Sequence, residues 1–367
     1  MTRHVLVNLL WCVPGAVGGS EEYLIRQLRG LVDHDAGRRW RISAATARGL
    51  AAAHPEFADE VATIEPSFRS HARWRRIVGE STWLRHRLDD VDLVHHGGGT
   101  APWSDLGVPF VVTVHDLQFR TFPEYFSRLK RAYLRAAVPR AVEQARRVAV
   151  PSDYVRRTVV AAYGLPETKV LVVPHGVDRT ELAASAAPDD LRRRYGLGDG
   201  PIVVYPAVTH PHKNHRLLLE LMRTRWTDPD LRLVLIGGRG SAHPIVESCS
   251  DPRVRHLGRV AAADRNGLLS MASAMVFPST YEGFGAPLLE AMVLGTPVIC
   301  ADRAALPEVA GEAAIVVPPE TGAWAGALDE VDRRRDELVA AGHRRAALFT
   351  ARASGAALDE VYEQALS

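Results

Sequence analysis

Short runs of Val, Ile and Leu alternate with helix-patterned stretches along this whole chain. Such alternation folds as a doubly wound, mostly parallel sheet with helices on both faces. In the first half, strands are expected at His4 to Leu10, Trp40 to Ser43, Asp92 to His95, Phe110 to Val114, Arg147 to Pro151 and Val170 to Pro174. In the second half they are expected at Ile202 to Tyr205, Arg232 to Ile236, Val254 to Leu257, Ala274 to Pro278, Val298 to Ala301 and Ala314 to Val317. Between the two sets lies a stretch poor in strand formers. It contains the small-residue run Ala183-Ala184-Ser185-Ala186-Ala187-Pro188 and closes on Gly198-Asp199-Gly200. The pattern therefore predicts one α/β domain over 1–180, a connection over 181–200 carrying a short helix from Asp189 to Tyr195, and a second α/β domain over 201–350. A tail over 351–367 follows, with an amphipathic helix from Ala353 to Leu366.

At 367 residues the chain is long enough for two such domains, each with its own core. The formal net charge is +2, which leaves no global nucleic-acid footprint. Cys12, Cys249 and Cys300 are scattered, forming neither a disulfide framework nor a zinc spacing, so a reducing cytosol is expected. The apolar run after His4 reads as a first strand and not as a signal peptide. No apolar run approaches the roughly 20 residues that span a bilayer. Lys occurs only at 130, 169 and 213, so a Lys inside a motif carries more weight than usual.

The stretch Glu282-Gly283-Phe284-Gly285-Ala286-Pro287-Leu288-Leu289-Glu290 carries the chemistry. A Gly-rich turn runs into an apolar helix, with Pro287 suited to its first turn. Gly283 and Gly285 let backbone amides approach a ligand, and a helix start favours an anion such as a diphosphate. Eight steps of helical rise separate the carboxylates by about 12 Å at most. One can hold hydroxyls on one side of a diphosphate and the other hydroxyls on the far side, which is the layout of a nucleotide-sugar. An ordinary capped helix with two solvated carboxylates would also fit these residues.

Other strand ends carry further candidates. Val112-Thr113-Val114-His115-Asp116 puts His115 where ligands bind in open α/β sheets, with Asp116 beside it to orient its neighbours. Gly15-Ala16-Val17-Gly18-Gly19 follows the first strand without the Gly-x-Gly-x-x-Gly spacing of a dinucleotide fingerprint. Thr209-His210-Pro211-His212-Lys213-Asn214-His215 follows a strand and opens a helix. Its histidine offsets do not place three rings on one helical face, and no acidic partner accompanies them, so no metal site is expected. Asp228-Pro229-Asp230 lies between helix and strand, away from the strand ends that would form a site. Residues 68–87 hold six Arg against Glu80, with Trp74 and Trp83 interleaved. That segment is read as a solvated or acceptor-facing face, with peripheral contact to an anionic membrane as the alternative.

The Glu282–Glu290 string resembles the Glu-seven-Glu signature of retaining glycosyltransferases of family 4, which have the two-domain GT-B fold. Val276-Phe277-Pro278-Ser279-Thr280-Tyr281, Gly295-Thr296-Pro297-Val298-Ile299 and Leu306-Pro307-Glu308-Val309 match the same pattern. The resemblance implies two Rossmann-like domains facing a cleft, with the C-terminal helix crossing back to the first. It implies transfer of a hexose-type sugar from a nucleotide diphosphate donor to an acceptor hydroxyl, without metal or cofactor. His115, Lys213 and Glu282 are the implied catalytic residues, with Lys213 clamping the diphosphate and His115 opposite Glu282 beside the sugar. Gly18, Gly19, Val260, Gly283, Phe284, Gly285, Leu289 and Glu290 are the implied donor contacts. Many members carry an Arg where this chain has Val208, so Thr209, His210 and His212 are candidates to supply what is missing. The His-Pro-His-Lys-Asn and Thr-Val-His-Asp stretches resemble those of mannosyl- and rhamnosyl-type members, while the residues themselves name neither base, sugar nor acceptor. The acceptor is expected to be a saccharide, a lipid-linked saccharide or a small metabolite, with the enzyme cytoplasmic or peripheral at the inner membrane face. Two other readings stay open: a nucleotide-sugar epimerase or hydrolase on the same fold, and a non-catalytic nucleotide-sugar-binding protein.

Overall fold

A computed structural model describes residues 2–15, 19–35, 39–68 and 73–367, with the backbone alone at 73–75. The chain divides into two compact units, one formed by Met1–Gly176 with Thr350–Ser367 and the other by Val177–Phe349.

The first unit holds a seven-stranded parallel sheet in the order β3-β2-β1-β4-β5-β6-β7. Its strands are β1 (Arg3–Leu9), β2 (Trp40–Thr46), β3 (Ala62–Ile64), β4 (Leu93–His96), β5 (Phe110–Thr113), β6 (Arg147–Val150) and β7 (Val170–Val172). Val5 pairs with Ile42 on one side and Leu93 on the other, so β1 is central and buried on both faces. The second unit holds a six-stranded parallel sheet in the order β10-β9-β8-β11-β12-β13. These are β8 (Ile202–Pro206), β9 (Arg232–Ile236), β10 (Val254–Gly258), β11 (Ala274–Phe277), β12 (Val298–Ala301) and β13 (Ile315–Val317). Both sheets reverse their winding direction once, between β1 and β4 and between β8 and β11. Loops leaving the carboxyl ends of those strands frame the crevice that such sheets use for ligands. This pair of Rossmann-like sheets is the GT-B fold class.

Two expectations need correction. Residues 181–200 are not a connector, since Leu182, Leu191 and Leu197 are buried in the second unit's core. Asn266 fixes the segment further, donating from Nδ2 to the carbonyls of Glu181 and Ala184 at 3.0 Å each. The units meet in sequence at Gly176/Val177 and Phe349/Thr350, not at 180 and 350. The three-residue edge strand β3 was also not anticipated, because its half-exposed Ala-Thr-Ile carries no strong alternation.

The last helix, Ala351–Leu366, belongs to the first unit. Thr350 caps it, its hydroxyl accepting from the Ala353 amide at 3.0 Å. Its Asp359 accepts from Trp40 Nε1 at 2.6 Å, and its Tyr362 hydroxyl meets His95 Nδ1 at 2.8 Å. The helix lies so close to the Gly19–Asp35 helix that a Cβ on Gly355 would stand 2.1 Å from the Gly30 carbonyl carbon. Backbone cannot yield as a side chain can. Gly355→Val should therefore destabilise the first unit by about 3 kcal/mol, the upper end of overpacking costs, or a fall of roughly 6–12 °C in its melting temperature. Gly322→Ala, where an added Cβ meets nothing within 4 Å, is the control. Equal melting of the two variants in a thermal scan would contradict the helix–helix contact.

Candidate functional site

In the second unit, the loop after β8 carries Lys213 and the loop after β11 carries Glu282. Lys213 Nζ donates to Glu282 Oε1 at 2.5 Å, with side-chain exposures of 19% and 14%. Local bonds sew the two loops together. Tyr205, at the end of β8, donates its hydroxyl to the Lys213 carbonyl at 2.8 Å and meets Ser279 Oγ at 3.0 Å, so Ser279 is the donor in that second bond. The Thr280 amide donates to the His212 carbonyl at 2.8 Å. Lys213 ends a short 3-10 turn from Pro211, closed by Asn214 at φ 52°.

The loop after β9 packs against the same segment. Buried Thr209 accepts at Oγ1 from the Gly240 amide at 2.8 Å and through its carbonyl from Ala242 at 2.9 Å. A Cβ on Gly240 would stand 2.6 Å from the Thr209 carbonyl oxygen, so only glycine allows that approach. Thr209 thus holds two loops together. The rings of His210 and His212 lie nearly parallel with centroids 5.8 Å apart. Burial, and then the Lys213 charge, hold both below the usual imidazole range, His212 at about 3. Both imidazoles are thereby held toward the neutral form.

The signature segment is built as its sequence implies. Gly285 has φ 102° and precedes the helix Ala286–Val293, with Pro287 in the first turn. Glu290 lies on that helix and is 8% exposed. Phe284 and Leu289 are buried in the unit's core, where their side chains pack. Gly283 precedes them in the same loop. Val260 follows β10 just beyond Gly258 and packs half-buried against the core. Asp230 donates its amide to Asp228 Oδ1 at 2.8 Å, a local turn, and no group of three His, Cys, Asp or Glu residues placed to hold a metal occurs among the described residues.

In the first unit, His115 stands just beyond β5. Its Nε2 lies 2.8 Å from the Gly97 carbonyl, the first residue after β4. A carbonyl only accepts, so Nε2 carries the proton and Nδ1 is left as a bare acceptor. Among the described residues Nδ1 is buried without a partner. Burial depresses this imidazole to about 4, keeping it neutral. Trp11 and Tyr23 flank it, with ring centroids at 5.8 and 5.6 Å. Asp116 accepts from the Gln118 amide at 2.7 Å. Gly19 opens the Gly19–Asp35 helix and is exposed, whereas Gly18 lies outside the described residues.

In the basic stretch 68–87, residues 69–72 and the side chains of 73–75 lie outside the description. Phe68 and Trp83 pack edge-on, 6.1 Å apart, against a small core cluster, while Arg85 is exposed. A cavity of about 510 Å³ between residues 101–110 and Arg140 contains none of the predicted site residues.

Sequence reasoning overlooked Gly97, although a Gly-Gly-Gly run directly after a strand is a usable signal. It also overlooked Tyr23 and Tyr205, whose roles depend on neighbours far away in sequence.

Two family models match the chain: "Glycosyltransferase Family 4" over residues 17–181 and "Glycosyl transferases group 1" over residues 200–332. D-inositol 3-phosphate glycosyltransferase of Jonesia denitrificans is 31% identical over 333 residues, covering 79% of this chain and 72% of that protein. O-antigen chain mannosyltransferase B of Escherichia coli is 30% identical over 220 residues, 57% of each chain. The chain spans about three fifths of the length of several curated relatives that it matches. Among solved structures, Anabaena HepE in complex with UDP and glucose superposes with a TM-score of 0.74 at 18% identity, covering 99% of this chain and 100% of that one. Sucrose-phosphate synthase of Thermosynechococcus elongatus gives 0.75 at 20% identity, covering 99% and 98%.

The buried histidines set a pH dependence. His95, His96 and His212 are lowered to about 3, and His115 and His215 to about 4, in each case chiefly by burial. Below their unfolded value of 6.5 the unfolded chain takes up protons that the folded chain refuses. Stability is thus complete above pH 6.5 and lost as pH falls toward 4, by up to about 1.4 kcal/mol per pH unit for each ring. Buried Glu80, raised to about 7 by desolvation, opposes this with one group. The urea midpoint should drop clearly from pH 7 to pH 5; a flat midpoint would contradict the neutral, buried histidines.

Proposed function

This chain belongs to glycosyltransferase family 4, and from that premise we propose that it transfers a hexose-type sugar from a nucleotide diphosphate donor to an acceptor hydroxyl, with retention of configuration. The Lys213–Glu282 pair is the observation that carries the proposal. A compact cation and a carboxylate are held beside a helix start, on the two loops that flank the sheet's switch point. When a donor enters, its diphosphate takes Lys213 and its sugar hydroxyls take Glu282. Glu290 accepts from the ribose hydroxyls further along the helix. Gly283, Gly285 and the Val260 backbone contribute main-chain contacts. In the first unit, His115 offers Nδ1 to a substrate hydroxyl.

The bond from the anomeric carbon to the diphosphate breaks, and the acceptor oxygen bonds to that carbon on the same face. The acceptor proton passes to the departing phosphate oxygen, so no enzymatic nucleophile is required. Lys213 and the helix start stabilise the negative charge that develops on the leaving group. A mannose-type hexose is the first donor to test, following the mannosyltransferases among the relatives. The acceptor is a saccharide, a lipid-linked saccharide or a small metabolite, and exposed Arg85 gives residues 68–87 a basic group for an anionic acceptor or lipid headgroup. No helix among the described residues is long and apolar enough to cross a membrane. The epimerase, hydrolase and non-catalytic readings are not favoured, because the relatives are named as transferases.

Lys213→Ala should lower kcat by about 100-fold or more at saturating donor, since an electrostatic contact to the leaving group is lost. Near-normal turnover would assign that role to another group. Glu290→Gln should raise donor KM more than it lowers kcat, because weakened acceptance from the ribose acts on binding. Unchanged donor affinity in Glu290→Ala would remove the ribose assignment. Turnover should persist in excess chelator; its loss, with rescue by magnesium or manganese, would show that a metal and not Lys213 neutralises the diphosphate.

A further inference from the structure

The chain passes from the first unit to the second at Gly176/Val177 and returns at Phe349/Thr350. These two crossings are bound to one another. The Val177 amide donates to the Phe349 carbonyl at 2.8 Å. A Cβ on Gly176 would stand 2.5 Å from Ala351 Cα and 2.8 Å from the Thr350 carbonyl oxygen, so the backbones touch.

Each crossing also carries a ring that reaches one candidate site. His175 stacks on Tyr23, with centroids 3.8 Å apart and planes at 14°. Tyr23 is held by its hydroxyl, which donates to the Val173 carbonyl at 2.8 Å and accepts from Gln27 at 2.7 Å. Its ring meets His115 edge-on at 5.6 Å. On the other crossing, Phe349 packs at 5.7 Å against Phe284, two residues beyond Glu282. Arg345 lies 4.9 Å from the Phe349 ring and donates to the carbonyls of Val309 (2.9 Å) and Glu308. Those carbonyls belong to the helix Leu306–Ala310, and the preceding residue, Ala305, donates its amide to the Glu282 carbonyl at 3.4 Å. Phe349 therefore reaches the Glu282 loop by two routes.

We infer that His175 and Phe349 are positioning residues that couple His115 of the first unit to Glu282 of the second through the paired crossings. The inference rests on reading those two side chains as substrate-binding groups. Close-packed rings have discrete arrangements and do not deform smoothly, and the two ring clusters are joined through backbone, by the Val177–Phe349 hydrogen bond and the close approach of Gly176 to Ala351. A ligand that orders the Glu282 loop should thereby bias the surroundings of His115.

Amide hydrogen exchange on the unliganded full chain tests this directly. Phe349→Leu should raise exchange at residues 96–99 and 115–118 of the first unit by about threefold or more, within the coupling that intervening side chains typically carry. Exchange in β1 should stay unchanged. His175→Ala should raise exchange at 281–286 in the second unit, and Phe349→Tyr, which keeps the ring, should restore the wild-type pattern. If Phe349→Leu does not fold, Phe284→Leu should give the same remote effect. Exchange that rises only within the altered unit would overturn the coupling. No ligand is needed, so a failure of every nucleotide-sugar tried would count against the proposed reaction and leave this result standing.

Discussion

The 2.5 Å contact between Lys213 and Glu282 is the interaction on which the second unit's site depends. Both groups are largely withdrawn from water. Each would be costly there alone, and removing one partner of a buried pair is far more damaging than removing both. Burial first, and then the Lys213 charge, holds neighbouring His210 and His212 below the usual imidazole range. At rest the site is therefore close to electrically balanced. A diphosphate alone could take Lys213, but it would leave Glu282 without a partner. In the proposed reading, a diphosphate carrying a hydroxylated sugar would satisfy both, so the pair would favour the intact donor over its parts.

That balance needs the loops after β8 and β11 to be fixed. Tyr205, Ser279 and Thr280 tie them together by three hydrogen bonds, and Thr209 adds the loop after β9. Glycines at 240 and 285 are required where a Cβ would meet the Thr209 carbonyl or the Leu306 side chain. The first unit meets a different constraint with buried, neutral imidazoles. His95 spans Tyr362 and Thr113, and His115 spends its one proton on the Gly97 carbonyl, leaving Nδ1 as a bare acceptor.

Most of the architecture was legible because buried parallel strands are apolar on both faces. Runs such as Ile202 to Tyr205 and Val298 to Ala301 can be little else between turn residues. The signature segment was equally clear, since Gly285 and Pro287 are local necessities of its turn. Residues 181–200 misled because three buried leucines, at 182, 191 and 197, are spread among Ala, Asp and Arg. Their burial depends on a surface supplied by residues such as Asn266 and Gly267, which are remote in sequence. The roles of Tyr23, His175 and Phe349 were hidden for the same reason. The stack of Tyr23 on His175, far apart in the chain, leaves no periodicity in the sequence. The fate of His210 and His212 was likewise a matter of environment, because burial, and not residue type, decides whether an imidazole carries charge.

The central claim is that Lys213 exchanges Glu282 for the donor diphosphate. With only three lysines in the chain, at 130, 169 and 213, nuclear magnetic resonance of lysine side chains labelled with ¹³C and ¹⁵N resolves Lys213 directly. Its signal, assigned by loss in Lys213→Arg, should move in Glu282→Gln, and should move again in the wild type on addition of GDP-mannose or UDP-glucose, whichever raises the melting temperature. A Lys213 signal that stays in place while such a donor stabilises the protein would contradict the account.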